Sequence, residues 1–74
     1  MSNNQPGSKH AEYYAIPAYQ RLARLSDEQV AAELSIAVRT YREKINGGRD
    51  FTSVEGKKLS ALFGVSQDEL FKTA

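Results

Sequence analysis

The chain has 74 residues, room for one domain, and a core this small calls for a compact helical arrangement or a dimer. Ten Lys and Arg against nine Asp and Glu leave a net charge of +1, too balanced to imply nucleic-acid binding through bulk charge, so any basic surface must be local. There is no cysteine, which excludes disulfides and thiolate metal sites. No apolar run is long enough to span a membrane, and the first residues lack the apolar core of a signal peptide, so a soluble cytoplasmic protein is expected, with no membrane partner.

In chain order, residues 1–8 are polar and have nothing to bury, and they read as a disordered tail ahead of a domain over 9–74. Tyr13, Ile16, Tyr19 and Leu22 follow at near-helical spacing. Pro17 can open a helix but not sit within one, which predicts a first helix over 17–24 with room for an extra turn before it. Tyr13 and Tyr14 are read as packing residues. Ser26 with Gln29 three residues on is a capping box, and Val30 and Leu34 then share one face with the small Ala31.

Residues 34–37 should turn the chain. Beyond them Val38, Tyr41 and Ile45 form an apolar stripe, while Arg39, Arg42, Glu43 and Lys44 take the remaining surface until Asn46, Gly47 and Gly48 end the helix. Thr52 and Glu55 make a second box, opening a helix with Leu59, Leu62 and Phe63 on one face and Gly64 at its end. Gly56 inside it implies a close helix contact. Ser66 and Glu69 make a third box before Leu70 and Phe71. The expectation is an all-α domain of four to five short helices. Its core should hold Val30, Leu34, Ile36, Tyr41, Ile45, Leu59, Leu62 and Phe71.

Catalytic chemistry finds little support in these residues. His10 is the single histidine, placed in the polar N-terminal stretch without a carboxylate or thiol cluster, and no serine sits in a nucleophile elbow. Gly47 and Gly48 lack the strand and lysine of a phosphate loop. We therefore expect no enzyme, no metal and no cofactor. The residues alone also leave Val38 open between core and ligand contact, and Arg39, Arg42 and Lys44 open between a binding face and a solvated one.

The stretches LSDEQVAAEL, RTYREKING with the following DFT, and KKLSALFGVSQDELF resemble, in order and spacing over Ile16 to Phe71, the lambda-repressor-like (Xre) helix-turn-helix family, particularly short Cro-type phage regulators. The resemblance implies a globule of four or five helices whose third helix, residues 37–46, lies in the major groove of operator DNA bound by a dimer. It places Ala37, Val38, Arg39 and Thr40 against double-stranded DNA, Arg42 and Glu43 one turn later, and Arg49 on the flanking backbone. Arginine can bond guanine bidentately and Val38 can touch a thymine methyl. Arg49 and main-chain amides after Asn46 could hold phosphates.

Where the family usually has Gly, Ser or Thr, and Gln, this chain has Ser35, Ala37 and Asp27. Asp27 would repel a phosphate. Two functions follow as expectations. The first is a small transcriptional regulator that represses by binding DNA; the second is an anti-repressor or interaction module of the same fold that binds another repressor, favoured by Asp27, Ala37 and Val38.

Overall fold

The computed structural model describes residues 9–73, so the expected tail over 1–8 lies outside the described residues. Five helices follow in order: α1 (Ala15–Leu22), α2 (Asp27–Leu34), α3 (Val38–Asn46), α4 (Ser53–Phe63) and α5 (Gln67–Leu70). The domain is all-α, and the described residues add to the helices one isolated antiparallel bridge, between Tyr13 and Thr73.

Local chemistry accounts for most helix ends. Ser26 accepts the Gln29 amide at 3.1 Å while the Gln29 side chain accepts the Ser26 amide at 2.7 Å, and Thr52 and Glu55 repeat the exchange at 3.1 and 2.9 Å. Each box satisfies two amide groups that a helix start would otherwise leave unpaired. The third box is half made: Ser66 accepts the Glu69 amide at 3.2 Å, but the Glu69 carboxylate pairs with Lys72 at 2.9 Å and accepts the Tyr19 hydroxyl at 3.3 Å.

The first helix departs from the expected 17–24. It starts two residues earlier, because Pro17 falls in the first turn, where its missing N–H would have no intrahelical acceptor. It stops at Leu22 because Arg24 takes a left-handed conformation, φ 59°, with the Arg24 amide donating to Arg21 O and the Leu25 amide to Gln20 O. Leu22 is 78% exposed and does not join the core. It lies six residues past Ile16, about 240° around the helix.

The core comprises Ile16, Val30, Ala31, Leu34, Tyr41, Ile45, Leu59 and Leu70. Five of the expected core residues are buried, whereas Ile36, Leu62 and Phe71 are partly buried and pack at its margin. Gly56 makes the close approach expected of it: a Cβ there would meet Gln67 of α5 and the ring of Phe71 just after it.

The segment before α1 is held to the end of α3. The Lys9 amide donates to Gly47 O at 2.6 Å and the Tyr13 amide to Ile45 O at 3.0 Å. His10 is thus part of the folded domain; its two ring nitrogens face Ala11 O at 2.7 Å and Arg49 O at 2.9 Å, and its ring stacks on Tyr13 at 4.1 Å. Tyr13 packs further against Phe51 and Phe71, while Tyr14 is 53% exposed and is not the packing residue expected. Gly47, at φ 102°, is buried where any side chain would run into the His10 carbonyl.

Candidate nucleic-acid interface

The turn between α2 and α3 passes through Ser35, which holds φ 59° and ψ 41°. Left-handed backbone is costly for a residue with a Cβ, and the neighbouring bonds hold it there: the Ser35 amide donates to Ala32 O and the Ile36 amide to Ala31 O. Ile36 then packs at the core margin, which sets where α3 begins. Ala37 is the N-cap residue in extended conformation, and no side chain caps the helix. The start of α3 therefore presents amide groups and the positive end of the helix dipole without a built-in partner.

Around α3 the sequence-derived site residues separate into three groups. Ala37 and Arg39 are exposed, and no ion pair joins Arg39 to a described residue. Val38 and Thr40 are half-buried, with Val38 packed against the core. Arg42, Glu43 and Arg49 are exposed but engaged: Arg42 Nε donates to Asp27 Oδ2 at 2.9 Å with Glu28 at 3.9 Å, and Arg49 Nε lies 3.2 Å from Glu43 Oε1.

Lys44 belongs to none of these groups, and its expected surface position is wrong. Its residue is 7% exposed, and Nζ donates to Glu55 Oε1 at 2.5 Å while lying 5.8 Å from the Phe51 ring centre. The reason is the start of α4. Glu55, used by the capping box to accept the Thr52 amide, also faces α3 at the level of Lys44. Burial disfavours the charged Glu55, but hydrogen bonds from Lys44 and the Thr52 amide outweigh it and hold the carboxyl below its ordinary range. A buried lysine without this partner would be strongly disfavoured.

Two of the amides after Asn46 have partners within the fold. The amides of both Gly47 and Gly48 donate to Glu43 O, closing the helix end, and are committed within the chain. The Arg49 side chain, the other phosphate-holding group expected there, is exposed and lies beside Glu43.

Asp27 is the residue whose part the sequence did not reveal. Its Oδ1 accepts Gln20 Nε2 at 2.8 Å, Gln20 Oε1 accepts the Tyr41 hydroxyl at 2.6 Å, and its Oδ2 accepts Arg42 Nε. The Gln20 hydrogen bond, then that of Arg42, lowers its pKa. The Tyr41 hydroxyl is pushed up by burial and by the Asp27 charge, so it remains a donor to Gln20. Asp27, expected to repel a phosphate, is the hub of a relay from buried Tyr41 to exposed Arg42. These residues, with Pro17, Leu25 and Ile45 among others, line an open groove of about 350 Å³. A signal was present in the α2 start, where two acids open a helix whose neighbour α3 carries two arginines, but the pairing needed the helix register.

No protein-family model matches the chain, and no curated protein or solved structure matches it either.

Proposed function

We propose that this chain is a small DNA-binding transcriptional regulator of the lambda-repressor-like, Cro type, of phage or mobile-element origin, which places α3 in the major groove of an operator. The observation that carries the reading is the start of α3, where a helix terminus without a side-chain cap begins at exposed Ala37 and is followed within two residues by exposed Arg39, which has no ion-pair partner among the described residues. A helix end of this kind suits phosphate, and an unengaged arginine two positions into the helix suits a base edge. Arg42 lies one turn further along the same helix, with Thr40 between them.

Titration of random duplex DNA at increasing salt tests this reading, because each phosphate neutralised adds about 0.9 to the slope of log affinity against log salt. Arg39→Ala is expected to weaken binding to a selected site by roughly 1–3 kcal/mol without lowering the melting temperature. Absence of binding at low salt would refute the proposal. One observation favours a second reading, an anti-repressor that binds another regulator. Arg42 and Arg49 each have a carboxylate partner, so much of the positive charge of this surface is compensated internally. Under that reading the protein binds a repressor encoded nearby, shows no salt-dependent DNA shift, and loses its partner on Asp27→Gln.

A further inference from the structure

Arg42 is a long, exposed side chain that should sample many conformations, yet one of its donors is fixed. Its Nε–H is taken by Asp27 Oδ2, and Asp27 is itself fixed through Oδ1 by Gln20, whose carbonyl oxygen is held by the buried Tyr41. Each link of the relay joins a donor to an acceptor: hydroxyl to amide oxygen, amide N–H to carboxylate, guanidinium N–H to carboxylate. Three helices contribute, α1 through Gln20, α2 through Asp27, and α3 through Tyr41 and Arg42. An ion pair this exposed does little for stability, so the relay invites another use.

Resting on the DNA-binding reading above, we infer that Asp27 is a positioning residue for base recognition. By occupying Arg42 Nε it leaves the two terminal guanidinium nitrogens to pair end-on with a single guanine, and it trades affinity for random DNA against discrimination among bases. Two physical effects act together. A guanidinium held before binding loses less freedom on recognising the O6 and N7 acceptors of guanine. The carboxylate also offsets the charge that Arg42 would otherwise offer to any phosphate, which lowers binding to sequences lacking the right base. Glu28, 69% exposed and 3.9 Å from Nη2, is loose enough to give way.

The test is selection of randomised duplexes by wild type, Asp27→Asn and Asp27→Glu, followed by affinity measurements on the selected site, its single-base variants and a random duplex. Wild type should enrich a site with one guanine preferred by about tenfold or more over other bases. Asp27→Asn places an amide donor where Gln20 or Arg42 already donates. It should reduce that preference severalfold while tightening random-duplex binding. Asp27→Glu retains the charge but shifts the carboxylate by a methylene; it should also lose preference, with random-duplex affinity near wild type. In an Arg42→Ala background, Asp27→Asn should change the preference no further. Circular-dichroism melts verify that each variant is folded. A site enriched by wild type and discriminated equally by both folded Asp27 variants overturns this inference and leaves the DNA reading intact; no enrichment by wild type overturns both.

Discussion

On the inner side of α3, Lys44 and Glu55 pair at 2.5 Å with about a tenth of each side chain exposed. On the outer side Arg42 and Asp27 pair at 2.9 Å with 55% and 37% exposed. The two pairs have similar chemistry and sit two residues apart on one helix, and burial separates their roles. A buried ion has given up its water and cannot lose its partner without a large penalty, whereas an exposed one can exchange its partner for water, phosphate or a base. Lys44 therefore belongs to the architecture that fixes α3 on α4, and Arg42 is available for binding.

The largest effect should come from breaking the inner pair. Lys44→Ala strands the Glu55 carboxylate, and a cost of about 3–5 kcal/mol is expected, read as a lower midpoint in urea unfolding. Replacing both partners, Lys44→Met with Glu55→Leu, should cost much less than the sum of the two single changes, because no unpaired charge remains. A double variant as unstable as that sum would show that the pair contributes through something other than mutual charge compensation.

Proton titration probes the same side with a smaller effect. Glu55 has a lowered pKa in the fold, so the unfolded chain binds protons more readily, and the stability contributed by its ionisation is present above about pH 4.5 and lost as pH falls through the lowered value. Wild type should lose stability across that acid window. Glu55→Gln should be less stable at neutral pH and show a shallower fall, read from melting temperatures between pH 7 and pH 3. Asp27 and Glu69, also lowered, leave a residual slope in the variant.

The smallest expected effect is on the outer side. Arg42→Ala should leave the melting temperature nearly unchanged, because exposed ion pairs contribute little to stability. A loss of several kcal/mol would erase the contrast between the two sides and place Arg42 with Lys44 in the architecture. A loss of DNA binding with unchanged stability would sharpen it.

The starts of α2 and α4, the turn after α2 and the apolar faces of α2 and α3 were legible in the sequence because each depends on residues within one or two turns of one another. Ser26 meets Gln29 and Thr52 meets Glu55 across three positions, and Val30 with Leu34, or Tyr41 with Ile45, share a face by helical period alone. Gly56 could be read as a close contact because its presence in a helix has a local cost that needs a tertiary reason. What tertiary structure decided was the partner of each charge. Lys44 and Arg42 are both cations on one short polar stretch, and neither composition nor periodicity distinguishes them. Their fates were set when α4 brought Glu55 to one side of α3 and α1 with α2 brought Gln20 and Asp27 to the other. The same holds for His10 on Arg49 O and for Leu22 left in solvent. Burial and long-range pairing are properties of how helices pack against one another, and sequence spacing along a single helix does not carry them.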